Sequence, residues 1–218
     1  VTALRPALTT TLGRFVRLEP LTRERLPELY DVIGHPEVFA GGFGGGPAGL
    51  PPSREQFVAW AEQFFPWQRA NVYAVLVNGG PRDGWLVGTT ALGDFDLVSE
   101  HAHLGWTALD PHVWGSQVNT ETKQLLLGLA FDHGFGRVKI QADVLNERSR
   151  AAIAGIGASF EGIVRRDRMR PDGSWRDTAV FSILIDEWPT VYARLEQRLA
   201  RWRSQPVLFR RPGLEASA

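Results

Sequence analysis

Two short stretches carry the side chains best placed for chemistry. Trp114-Gly115-Ser116-Gln117-Val118-Asn119-Thr120-Glu121 leads into a leucine-rich helix, and Asn146-Glu147-Arg148-Ser149 follows a strand and opens another helix. The first N–H groups of a helix lack intrahelical partners and its dipole adds positive potential, so the start of the first helix suits an anion without a lysine. Taken alone, Ser116 or Asn119 there is equally an ordinary N-cap. Asn146 at a strand end and Ser149 at a helix start can face the crevice at the carboxyl ends of the strands, where open α/β sheets take ligands; each also suits an N-cap. His101 and His103 alternate on one strand without a helical His-x-x-x-His partner, and the chain has no cysteine. Neither a metal site nor a thiol nucleophile is expected.

The elements that must position these residues follow from hydrophobic period and turn chemistry. A strand around Arg14 to Leu18 precedes a helix capped by Thr22 and running through Leu26, Leu29 and Ile33. Ala40 to Pro52, rich in Gly and Pro, reads as a loop, either a lid or a tolerated insertion. Ser53 introduces a helix to about Arg69 with Phe57, Trp60, Ala61 and Phe64 at helical spacing. Strands over 72–77, 85–95 and 101–109 form an antiparallel meander, followed by a helix over 120–131, a strand over 138–144 and a short helix over 149–156. A hairpin, 160–168 and 175–185 about Pro171-Asp172-Gly173, and a helix from Pro189 to about Trp202 complete a single domain over 1–203, with 204–218 as a loose tail. The fold class is α/β (α+β), a mixed, mostly antiparallel central sheet flanked by helices.

Composition narrows the partners. Lys plus Arg and Asp plus Glu are 24 each, so no basic field favours nucleic acid. Lys123 and Lys139 are the only lysines, an arginine bias read as compositional. No signal-peptide core and no apolar run of about 18 residues occurs, which points to a cytoplasmic protein with no membrane partner.

The succession from Trp114 to Gly162, with Gly157-Ala158-Ser159-Phe160-Glu161-Gly162 after the Asn-x-x-Ser helix start, resembles the acyl-CoA core of the GNAT N-acetyltransferases. Over Gly13 to Trp202 the chain is similar to the ribosomal-protein N-terminal acetyltransferases of the RimJ/RimL type. The resemblance implies a GNAT fold, acetyl-CoA as co-substrate and an amine acceptor. It places Trp106, Thr107, Trp114, Gly115, Ser116, Gln117, Asn119, Thr120, Asn146 and Ser149 at the cofactor, with Asn146 on the pantetheine arm and Ser149 placed to protonate the leaving thiolate. Two departures stand out: Gln117 and Asn119 replace small residues of the pyrophosphate turn, and Arg168 stands where some relatives carry a catalytic carboxylate.

The reaction implied is attack of a neutral amine on a thioester, with strand N–H groups near Trp106 to Leu109 steadying the oxyanion. An α-amino group, of pKa about 7.7–8.0, loses its proton more readily than a lysine at about 10.4, which favours a peptide or protein N-terminus as acceptor. A small-molecule amine is the alternative acceptor, and a non-catalytic CoA-binding or interaction module the alternative class. His103 or Glu121 is nominated as base, with Asp94 and His101 behind them. A homodimer through the terminal hairpin or helix is compatible with the pattern.

Overall fold

The computed structural model describes residues 2–210. One eight-stranded sheet organises the chain: β1 (Thr11–Leu12), β2 (Val16–Pro20), β3 (Ala70–Val77), β4 (Leu86–Asp96), β5 (His101–Leu109), β6 (Arg137–Asp143), β7 (Ser159–Met169) and β8 (Trp175–Leu184). The order is β1-β2-β3-β4-β5-β6-β8-β7, and every pair is antiparallel except β5–β6. A parallel pair needs a crossover, and α4 (Gln117–Asp132) supplies it.

Helices cover both faces, so central strands are apolar on both sides. In β3 Val72, Ala74 and Leu76 face one core with Leu26, Leu29 and Ile33 of α1 (Leu26–Ile33) and Phe57 and Ala61 of α3 (Arg54–Phe64). Tyr73, Val75 and Val77 face the other, with Leu126, Leu127 and Ala130 of α4 and Val191, Leu195 and Leu199 of α6 (Trp188–Ala200). The strand period of two thus separates two helical layers.

Several sequence boundaries move for local reasons. The stretch expected as a loop contains the end of α2 (Pro36–Ala40) and two 3-10 turns, Phe43–Gly45 and Pro47–Gly49, pinned by Phe43 packing on Phe39, Trp60 and Phe64. α3 ends at Phe64 rather than near Arg69, since Phe65 precedes Pro66 and takes extended backbone. α4 begins at Gln117 because Ser116 is its N-cap, the hydroxyl accepting from the Val118 N–H, so Asn119 and Thr120 lie within the helix. The expected loose tail is corrected over residues 205–210: Val207 joins the core, and the Gln117 amide bonds the Pro206 carbonyl and the Leu208 N–H. Residues 211–218 of that expected tail lie outside the described residues.

Candidate active site

The parallel ladder between β5 and β6 runs only from His101 opposite Arg137 to Leu104 opposite Ile140, although the strands continue to Leu109 and Asp143. Past that point they part, and their facing edges line a cleft of about 680 Å³, within the range of small-molecule and cofactor sites. A bulge helps to open it. Between Ala91 opposite Gly105 and Thr89 opposite Ala108, β5 contains one residue too many, and Trp106 there takes φ +49°. A bulky residue in that region is uncommon and marks a conformation imposed by its surroundings. Trp106 and Thr107 both line the cleft.

His103 also lines the cleft and is buried. Its Nδ1 lies 2.9 Å from Asp94 Oδ2, and Asp94, on a second irregularity of β4 with φ +48°, pairs through Oδ1 with Arg69 at 3.2 Å. Burial pushes the imidazole below its ordinary pKa against the opposing pull of Asp94, while the hydrogen bond from His103 holds the Asp94 carboxyl below its own ordinary value. Both directions suit a neutral ring donating Nδ1–H to an ionised carboxylate, an arrangement that leaves the Nε2 lone pair available to take a proton.

At the other end of the cleft lie Trp114, Gly115 and Asn119 beside the start of α4. Gly115 has φ +70°, which a side chain would resist, and the Arg210 guanidinium lies against it, 3.3 Å from where a Cβ would stand. Arg148 stacks over the Trp114 ring, 3.3 Å from guanidinium carbon to centroid. Asn146 caps α5 (Glu147–Gly155), its Oδ1 accepting from the Ser149 N–H at 2.9 Å while its Nδ2 donates to the Gly41 carbonyl. It therefore ties β6 to the glycine-rich segment. Both Asn146 and Ser149 line the cleft. Unpaired strand edges, a helix N-terminus and carboxamides in one channel suit a long ligand with amides and phosphates such as acetyl-CoA.

Six sequence nominations do not line the cleft: the reserve bases His101 and Asp94, the latter touching it only through His103, and four others. Glu121 is buried, and its oxygens accept the backbone N–H groups of Arg14, Phe15 and Val16 at 2.8, 2.6 and 2.7 Å, so it anchors the β1–β2 hairpin and is not placed as a base. Gln117 is turned away to hold residues 205–208. Ser116 spends its hydroxyl on the helix cap and on the Val113 carbonyl, and Thr120 is buried on another face of the helix. Those four are absent from the cleft lining, which His103, Trp106, Thr107, Trp114, Gly115, Asn119, Asn146 and Ser149 share.

Lys123 joins the lining without a sequence nomination. It lies one helical turn after Asn119, is buried, donates from Nζ to Thr107 Oγ1 at 2.9 Å, and is pushed by burial down to a pKa of about 7. Its signal in the sequence is its type: a lysine kept inside an arginine-rich chain, on a helix whose next turns are leucine-rich.

A mixed sheet whose parallel pair parts over a bulge, with a helix start at one end of the slot and a His–Asp pair at the other, defines an acyl-CoA-dependent N-acyltransferase architecture. Residues 16–159 match the Acetyltransferase (GNAT) domain family model. A crystal structure of a GCN5-related N-acetyltransferase from Brucella melitensis is 27% identical, covering 90% of this chain and 87% of that one at a TM-score of 0.78. A “putative acetyltransferase” structure from T. thermophilus is 36% identical, covering 88% of this chain and 97% of that one at a TM-score of 0.76. Over 108 residues the chain is 35% identical to the “Putative ribosomal N-acetyltransferase YdaF” of Bacillus subtilis (strain 168); that match spans 49% of this chain and 57% of that relative, less than two thirds of its length. The chain belongs to the GNAT acetyltransferase family.

Proposed function

We propose that this chain binds acetyl-CoA in the β5–β6 slot and transfers the acetyl group to a primary amine, with a peptide or protein N-terminal α-amine as the acceptor. The observation that carries the reading is that one cleft joins the parted strand edges and α4 start to the His103–Asp94 pair. The co-substrate supplies an activated acetyl thioester; the chain supplies position and proton handling. Gly115, Asn119 and Asn146 hold the cofactor, backbone N–H groups of the bulge at Trp106 and Thr107 steady the carbonyl oxygen, His103 Nε2 removes the amine proton, and Ser149 assists departure of the thiolate.

The α-amine reading is supported by its lower pKa and by likeness to the Bacillus relative, which is named as a ribosomal N-acetyltransferase. A small-molecule amine is the second reading, favoured by the packing of Gly45 against the Pro171 ring, where a Cβ would stand 2.8 Å from Cδ. That contact joins the glycine-rich segment to the β7–β8 turn and narrows the acceptor end. Mass-spectrometric detection of acetyl transfer to N-terminal peptides and small amines tests both readings. Acetylation of neither class, by protein that binds acetyl-CoA, overturns the catalytic proposal.

A further inference from the structure

Arg168 and Arg176 stand directly opposite each other in the β7–β8 register, and both line the cleft. Like charges in that relation destabilise a strand pair unless something neutralises them. The protein's own carboxylates do so poorly. Asp143 Oδ2 lies 3.9 Å from Arg176 Nε but is engaged at 2.6 Å by Arg170. The carboxylate beside Arg168 is Asp167, at 3.4 Å, and the same Oδ2 accepts the Thr178 hydroxyl. Arg176 Nε is a buried donor without a hydrogen-bond partner among the described residues. Among the described residues, the cleft is lined by the guanidinium groups of Arg148, Arg168, Arg170 and Arg176 against the single carboxylate Asp143.

Position divides this excess. Arg148 lies over Trp114 at the α4 end, where the proposed cofactor phosphates have use for it. His103, Arg168 and Arg176 line the same cleft and the charge of Arg168 disfavours the imidazolium, which places the arginine pair with the base that would meet the acceptor amine. A free guanidinium edge binds a carboxylate or phosphate through paired N–H···O bonds, and two facing guanidinium groups can share one anion.

We infer that Arg168 and Arg176 form a recognition site for an anionic group, carboxylate or phosphate, carried by the acceptor a few bonds from the amine that is acetylated. The identification of the ligand as the acceptor rests on the proposed acetyl transfer; the anion site itself does not. The anion relieves the repulsion between the arginines and fixes the amine beside His103. Neutral amines lack that anchor.

The test is calorimetry on the full chain saturated with CoA, using two matched probe pairs: the C-terminally amidated tripeptides Glu-Ala-Ala and Gln-Ala-Ala, and O-phosphoethanolamine with ethanolamine. The anionic member of at least one pair binds about tenfold tighter or better. Discrimination in the peptide pair marks an acidic N-terminus as the source of the anion, and discrimination in the other pair a small phosphorylated amine. Arg168→Gln and Arg176→Gln each weaken the anionic probe to the level of its neutral partner. The Arg168 side chain is 57% exposed, so its substitution reads the site without loading the core. Equal binding within both pairs, or a preference that survives both substitutions, overturns the site. Acetylation of the probes is read separately by mass. An anion preference without acetyl transfer supports the arginine site and contradicts the catalytic reading; transfer to neutral and anionic probes with equal KM contradicts the site and supports the catalytic reading.

Discussion

A methyl group on residue 105 would stand 2.8 Å from the Nε2 of His103. The imidazole occupies the room that a side chain two residues along the same face of β5 would need, so Gly105 is part of the reason this ring sits where it does. Gly105→Ala is expected to displace the ring and lower kcat by about 10²-fold or more, the scale of a lost general base. Acetyl-CoA affinity should change little. Steady-state kinetics beside a binding titration separates the two; unchanged kcat would remove His103 from the chemistry.

The His103–Asp94 pair also sets a pH dependence. The base works neutral and its pKa is depressed by burial, so kcat at saturating substrate should be lost as pH falls through a midpoint below the ordinary histidine value of 6.5. Asp94 acts to raise that pKa, so Asp94→Asn should move the midpoint further down and also reduce the plateau, because the ring loses its orienting acceptor. His103→Gln should abolish the limb. A midpoint that ignores both substitutions belongs to another group.

Burial of Lys123 has a stability cost with a definite sign. Its folded pKa is about 7 against an ordinary 10.5, so between those values the unfolded chain holds more protons and stability rises with pH. The slope for one fully linked proton is about 1.4 kcal/mol per pH unit. Lys123→Met should flatten the rise between pH 7 and 10.5 and raise stability at pH 7. Chemical denaturation at several pH values checks it, and an unaltered slope would mean the ammonium is not desolvated in the fold.

At Asn119 two electrostatic effects have opposite signs. Asn119→Asp puts a negative charge in the first turn of α4, which favours the helix by about 0.3–1 kcal/mol. The same charge repels the pyrophosphate proposed for that turn and should weaken acetyl-CoA binding. A variant at least as stable as the parent yet poorer in cofactor binding matches the account. Undiminished affinity would show that the phosphates bind elsewhere.

Glu121, by contrast, should matter for stability and leave the pH profile alone. Glu121→Gln replaces one acceptor oxygen by an NH2 group facing backbone donors, at a cost of about 2 kcal/mol. Denaturant midpoints together with the kcat–pH curve of the folded variant decide it.

The contrast between Glu121 and Asn146 shows what is legible in the sequence. Asn146 and Ser149 can be placed because strand end, cap and helix start are local: the cap spans three residues. The role of Glu121 is hidden because its partners, Arg14, Phe15 and Val16, are more than 100 residues away. Gln117 likewise belongs to residues 205–208, a contact that no period or turn signal announces. The mixed sheet and its helices follow from apolar alternation. The bulges that turn Asp94 and Trp106 to positive φ do not, because register is fixed between strands rather than within one. Pro66 is a visible stop for α3, and a reading past it to Arg69 lets the aromatic period outweigh a backbone constraint.

The most direct test of the central claim is calorimetric titration of the protein with acetyl-CoA, with Asn119→Asp in parallel and free CoA as the comparison. The account predicts micromolar or tighter binding to the parent, with the Asp variant clearly weaker. Absence of heat and of thermal stabilisation at millimolar acetyl-CoA would contradict it.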